Sequence, residues 1–222
     1  MMRDPIVVVN PNSTQAVTDG ISDALEPLRM SGGPAVDCVT LKEGPAAIET
    51  QTDIDAVVEP LCRFVSDNAD KASAFVIACY SDPGLYVIRE ICEVPTFGIA
   101  ESAMLCAMTR GRGFGVISIL EASVPRHIRY VHDMGLSERL AGDRAVGLGV
   151  LELADESRAL PRLCEVGLAL RDQDGADVLI IGCTGMARYR AEIEKSTGLP
   201  VIDPTQAAVT FAIGAVRLSH GA

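Results

Sequence analysis

Ala74-Phe-Val-Ile-Ala-Cys79-Tyr-Ser-Asp-Pro83 and Val178-Leu-Ile-Ile-Gly-Cys183-Thr-Gly-Met186 decide the fold. Each is a continuous apolar run with the length and composition of a buried strand. Each closes on a cysteine before a helical pattern starts. Outward from these two runs, the same order of elements can be read twice.

In the first half, Ile6–Val9 reads as a strand, and Asn10-Pro-Asn-Ser-Thr14 breaks it into a turn. Ser13 or Thr14 is placed to cap a helix from near Gln15. Residues 35–41 give a second strand, Gly44–Glu49 a loop, and 53–69 a helix. After the third strand, Asp82 suits an N-cap and Pro83 the first helical position. Phe97–Ala100 is a short strand, and Glu101-Ser102 opens another helix.

The pattern then restarts. Gly113–Leu120 repeats the first strand, with a helix over 123–134. Val146–Leu153 stands as the second strand again, and 157–173 as a helix. Val178–Cys183 repeats the third strand, ahead of a helix over 187–196. Leu199-Pro200-Val-Ile-Asp-Pro204 repeats Val94-Pro95-Thr-Phe-Gly98, and a closing helix spans about Thr205 to Leu218. The copies lie near 105 positions apart (183 − 79 = 104 for the cysteines, 200 − 95 = 105 for the prolines).

Self-similarity on this scale predicts an α/β protein of two pseudo-twofold-related lobes, each a mostly parallel sheet flanked by helices. Lobe 1 is expected over 1–103 and lobe 2 over 104–204, with the closing helix 205–222 packing back on lobe 1. Such symmetry brings equivalent strand ends, and with them Cys79 and Cys183, to a cleft between the lobes.

Composition narrows the function classes. Hydrophobic residues make up 48% of the 222 residues and aromatics only 4%, which suits a core of Val, Ile, Leu and Ala. A formal charge of −11 with no basic block argues against nucleic-acid binding. No apolar run is long enough to span a bilayer, and the N-terminal segment does not read as a signal peptide, so a cytoplasmic location without membrane attachment is expected. Seven cysteines at irregular spacing, with three histidines and no C-x-x-C, speak against a disulfide framework or structural zinc.

Cys79 and Cys183 differ from the other five cysteines because each stands at a strand-to-helix switch. A free thiol titrates near ~8.5, and a helix N-terminus beside the sulfur favours the thiolate. One thiolate can take a proton from a weakly acidic C–H while the opposite thiol delivers one to the other face. The intermediate is a carbanion or enolate, so hydrogen-bond donors must hold its charge; the turn amides after Asn10, Cys79 and Cys183 are candidates. No cofactor is needed. Asn10 either meets a ligand or stabilises its own turn. Glu101 reads as a capping carboxylate or a ligand contact. His127 and His132 fall on one expected surface helix and His220 in the tail, with no reason to meet Cys79. Arg126, Arg129, Arg188 and Arg190 read as solvated surface charges.

Val8-Val-Asn-Pro-Asn-Ser-Thr14, Gly44-Pro-Ala-Ala-Ile-Glu49, Ala78-Cys-Tyr-Ser-Asp-Pro-Gly-Leu85, Gly98-Ile-Ala-Glu101 and Ile181-Gly-Cys-Thr-Gly-Met186 together resemble the aspartate/glutamate/hydantoin racemase superfamily, its hydantoin and allantoin branch above all. The resemblance runs in register from about residue 6 to residue 215. It implies a cofactor-independent, two-base racemisation with Cys79 and Cys183 as the bases. It puts substrate-cradling positions on Asn10, Ile48, Tyr80, Ser81, Thr184 and Gly185. It also implies a homo-oligomer.

Two departures from the branch stand out. Ser118-Ile119 replaces adjacent threonines, keeping at Ser118 one hydroxyl for a substrate. Thr184 takes the place of the alanine that often follows the second cysteine. The expected activity is inversion of the carbon next to a carbonyl in a cyclic ureide, a 5-substituted hydantoin or allantoin. Alternatives are an amino-acid racemase, a maleate-type isomerase, a decarboxylase of the same superfamily, or a non-catalytic small-molecule binder.

Overall fold

The structure, a computed structural model, describes residues 4–218. His220 and the last residues of the expected closing segment lie outside the described residues, as do Met1–Arg3. The strands and helices in chain order are β1 (Ile6–Asn10), α1 (Gln15–Ala24), β2 (Val36–Thr40), α2 (Gln51–Ala56), α3 (Val58–Asn68) and β3 (Ala74–Ile77). There follow α4 (Leu85–Ile91), β4 (Thr96–Gly98), α5 (Ile99–Ala107), β5 (Phe114–Ser118), α6 (Val124–Asp133) and β6 (Leu140–Ala145). The chain ends with α7 (Glu156–Asp172), β7 (Val178–Ile181), α8 (Arg190–Thr197), β8 (Val201–Ile202) and α9 (Pro204–Leu218).

The chain divides into two compact units, one running up to Ser102 and resuming at Thr205, the other Ala103–Pro204. Each is built on a four-stranded sheet, ordered β2-β1-β3-β4 in the first unit and β6-β5-β7-β8 in the second. Among the described residues all six strand pairings are parallel. The repeat seen in the sequence is thus a repeat of topology, and both units are α/β layers of the same plan.

Strand parity sorts the first unit's core. Ile6, Val8, Ala74, Val76 and Ala78 face a cluster with Ile21 of α1, Leu25 just past its end, and Ala208, Val209, Ala212 and Val216 of α9. Gln206 of α9 also donates to Ala24 O at 2.7 Å. Val7, Val9, Phe75 and Ile77 face the opposite cluster, made with Ile48, Ile54, Leu61, Val65 and Ile88. Burial on both faces explains why β1 and β3 read as unbroken apolar runs.

The second unit corrects one strand. The edge strand is Leu140–Ala145, and Val146–Leu153 is an irregular segment ending in a short 3-10 turn at Glu152–Ala154. Val146, Leu148, Val150 and Leu153 are buried all the same, so their apolar spacing records burial and not strand pairing. The helix expected over 53–69 is two, broken at Val57. The helix expected over 187–196 is a 3-10 stretch, Thr184–Tyr189, leading into α8.

Candidate active site

The two cysteine segments leave their sheets in the same way. Ala78 N donates to Val9 O at 2.9 Å, and Gly182 N donates to Ile117 O at 2.8 Å. Each bond ties the residue before the cysteine to the middle strand of its own sheet. The chain then turns at once: Asp82 N donates to Cys79 O at 2.9 Å, and Met186 N to Cys183 O at 3.1 Å. Both cysteines therefore sit just past a central strand's carboxyl end, in a reverse turn. Open α/β sheets bind ligands at that edge.

In the first unit, Cys79 is half-buried and packs against the cluster that holds Ile48 and Ile77. Tyr80 is buried and Ser81 half-buried beside it. The helix assignment after Cys79 needs correcting. α4 starts only at Leu85, behind Gly84 in the left-handed region, so Asp82 does not cap it. Asp82 is itself left-handed, with φ 43°, and its carboxylate reaches α5 instead. There it accepts from Ala100 N at 3.0 Å and Glu101 N at 2.9 Å. Helix-dipole effects fade beyond the first turn, so α4 does little for the Cys79 sulfur. Glu101 accepts from Gly98 N at 3.3 Å and pairs with Arg89, which is the capping role.

Asn10 is completely buried and spends its amide close to home. Its Nδ2 donates to Asn12 Oδ1 and to Thr18 Oγ1, each at 3.0 Å, and its Oδ1 accepts from Asn12 N. These bonds give Asn10 a bracing role in its own turn. Thr14 occupies the N-cap of α1 without a side-chain capping bond. Its hydroxyl instead donates to Ala46 O at 2.7 Å, while Ser13 N donates to Pro45 O at 2.8 Å. The Gly44–Glu49 loop is thereby pinned to the β1–α1 turn, with Ile48 carried into the core beneath it. Gly44 is required there: a Cβ would lie 2.0 Å from Pro11 O.

In the second unit, Cys183 is buried and caps the 3-10 stretch Thr184–Tyr189. Thr184 and Gly185 are half-buried. A Cβ on Gly185 would sit 3.7 Å from Cys183 Sγ and 3.3 Å from Leu153 Cδ1, so the glycine keeps the space beside the sulfur. Tyr189 and Arg188 both donate to Leu153 O, at 2.7 and 3.1 Å, and hold the irregular segment against this turn.

Ser118 ends β5 and belongs to a buried cluster that the sequence did not announce. Its hydroxyl donates to Asp143 Oδ1, and both it and Asp143 Oδ2 meet His127 Nδ1, at 3.0 and 2.9 Å. His127 was expected on a surface helix; it is buried, because α6 turns this face towards β6. The trio is not a nucleophilic relay. A relay needs the serine and the carboxylate on opposite imidazole nitrogens, and here both use Nδ1. The hydroxyl of Ser118 braces β5 to β6 and α6.

Of the expected surface arginines, Arg129 and Arg188 are exposed, and Arg126 and Arg190 half-buried. Burial pushes the thiols of Cys38, Cys62 and Cys106 up, away from the thiolate form. Among the described residues, no group of three or more His, Cys, Asp or Glu side chains is placed to hold a metal ion. No helix of the described residues is long and apolar enough to cross a membrane. A cavity of about 740 Å³ opens in the second unit between β6 and α7, lined by Arg144, Arg162, Glu165 and Asp174 among others, and none of the expected site residues reaches it.

The described chain is thus two α/β units on parallel sheets, each ending a central strand on a cysteine turn. The profile of the Asp/Glu/Hydantoin racemase family matches residues 6–212, and the chain belongs to that family. Hydantoin racemase of Paenarthrobacter aurescens is 32% identical over 222 residues, covering 97% of this chain and 92% of that protein. Hydantoin racemase of Rhizobium meliloti is 37% identical over 212 residues, covering 93% of this chain and 86% of that protein. The structure of allantoin racemase from Klebsiella pneumoniae superposes with a TM-score of 0.91 at 27% identity, covering 99% of this chain and 92% of that one. These relatives place the chain with the hydantoin and allantoin branch of the family.

Proposed function

We propose that this racemase inverts the carbon next to a carbonyl in a five-membered cyclic ureide, a 5-substituted hydantoin or allantoin, with Cys79 and Cys183 as the two bases. The observation that carries the reading is the matched placement of the two sulfurs, each in a turn just past a central parallel strand of its own unit. The names of the relatives point to the same substrates.

One cysteine, as thiolate, takes the proton from the ring carbon. The electron pair moves into the neighbouring carbonyl to give an enolate. The other cysteine, as thiol, gives its proton to the opposite face and is left as thiolate. For the opposite enantiomer the two sulfurs exchange roles. The backbone N–H groups of Tyr80, Ser81, Thr184 and Gly185 are the donors nearest in sequence for the enolate oxygen, and Ile48 supplies apolar wall. Asn10 acts through the turn it braces, and Ser118 through its bonds to β6 and α6.

The test is solvent exchange. In D₂O, wild type should wash deuterium into the ring carbon of both enantiomers of a hydantoin or allantoin while optical rotation decays. Cys79→Ser and Cys183→Ser should each abolish racemisation, and each should block exchange of a different enantiomer. Full racemisation by both variants refutes the assignment. Turnover of aspartate or glutamate in place of every ureide would move the protein to the amino-acid racemase reading. Self-association belongs to the same proposal and is read by sedimentation against the 23.5 kDa chain.

A further inference from the structure

Asp82 is three residues beyond Cys79, and its placement is unusual in three respects that share one cause. Its backbone lies in the left-handed region, φ 43°, where a side chain other than glycine is strained. Its carboxylate is buried and accepts two backbone N–H groups from the first turn of α5, Ala100 and Glu101, 18 and 19 residues away. Gly98 then leaves that carboxylate its room, since a Cβ there would come within 2.2 Å of Asp82 Oδ2. The backbone N–H of the same residue closes the turn onto Cys79 O at 2.9 Å. One residue thus grips the carbonyl of Cys79 at one end and a helix at the other.

We propose that Asp82 is a positioning residue for Cys79: its carboxylate, anchored on α5, fixes the turn that aims the sulfur at the reacting carbon. This rests on the two-cysteine reading above. Carboxylate is the chemistry the anchor needs, because both oxygens accept from N–H donors. An amide keeps one acceptor and turns its own N–H₂ against the second donor. In the second unit Met186 occupies the matching position after Cys183. Loss of the anchor must therefore harm one sulfur and spare the other, which a general loss of stability cannot do.

The experiment compares wild type, Asp82→Asn, Asp82→Glu, Cys79→Ser and Ile21→Val. Ile21→Val trims the opposite face of the first unit and serves as the stability control. Cys79→Ser identifies the enantiomer whose exchange depends on Cys79. In Asp82→Asn, initial deuterium exchange of that enantiomer should fall by about tenfold to a hundredfold, the scale of a sub-ångström to one-ångström misplacement. Exchange of the other enantiomer, with retention, should stay within about twofold of wild type. Asp82→Glu, which keeps the charge but lengthens the arm, should recover only part. Equal loss for both enantiomers, or the same pattern in Ile21→Val, overturns the proposal.

A second readout does not need turnover. The rates of iodoacetamide alkylation at the Cys79 and Cys183 peptides are followed by mass spectrometry. In Asp82→Asn their ratio should change by about threefold or more, with Cys183 unchanged. If wild type racemises nothing yet this ratio shifts, the two-cysteine reading fails while the anchoring of Cys79 stands. An unchanged ratio overturns the anchoring itself.

Discussion

Replacing His127 by alanine probes the buried cluster beneath β5 and tests whether it is structural. The Asp143 carboxyl is fully buried, with 0% of its side chain exposed, and His127 Nδ1 lies 2.9 Å from Oδ2. The Ser118 hydroxyl reaches only the other oxygen, Oδ1. Removing the imidazole leaves Oδ2 without that donor in a site sealed from water, and leaves a void where the ring was. An unmet buried hydrogen bond costs about 1–3 kcal/mol. The void left by the ring adds a cavity cost to that. A loss of about 3 kcal/mol is the expected value, large against the ~5–15 kcal/mol that holds a typical domain folded.

Urea unfolding at neutral pH is the assay, followed by far-ultraviolet circular dichroism. With a urea slope of about 2–3 kcal/mol/M, the midpoint should fall by about 1 M. Asp143→Asn placed in the His127→Ala background should recover part of the loss, because a neutral amide is cheaper to bury than an unpaired carboxylate. The double-mutant cycle should show more than about 1 kcal/mol of coupling between positions 127 and 143. A single-variant loss below about 1 kcal/mol, or a cycle that closes additively, would refute the reasoning. So would racemisation lost outright in a variant that remains folded, since the trio is not assigned to the chemistry.

Gly44→Ala should destabilise the β1–α1 turn by about 2 kcal/mol or more, because the new Cβ would lie 2.0 Å from the backbone oxygen of Pro11 and neither segment can yield without breaking the bonds at Ser13 and Thr14; a melting temperature unchanged from wild type contradicts this. Asp174 is held below the usual carboxylate range, chiefly by its hydrogen bonds from Arg144. The stability this adds is present above the unfolded pKa near ~3.9 and is lost as pH falls through the lower folded value. Asp174→Asn should therefore melt below wild type at pH 7, and the gap should close in acid; a gap that persists undiminished at pH 2 would exclude the ionic contribution.

Much of the architecture is determined by sequence alone, for a local reason. β1, β3, β5 and β7 are buried on both faces, so no polar residue interrupts them and the runs can be seen without their partners. The repeat of those runs, each third strand leading to a cysteine, yields two α/β units and singles out Cys79 and Cys183 from seven thiols. Tertiary structure decided what depends on distant partners. β6 carries Asp143 and Arg144 side by side, one satisfied by His127 and Ser118, the other by Asp174. Its strand character was hidden because Leu-Ala-Gly-Asp-Arg-Ala shows no apolar alternation and puts one polar side chain, Asp143 or Arg144, on each face. His127 looked solvent-facing because its partners, Ser118 and Asp143, come from β5 and β6 and not from its own helix. Asp82 looked like the cap of the helix next to it, the locally correct inference from Asp-Pro. Only the packed chain, bringing α5 and the bare Cα of Gly98 against that carboxylate, made it the cap of a helix 18 residues further on. Hydrophobic period is written in consecutive residues; the satisfaction of a buried polar group is not, because its partners are chosen by the fold.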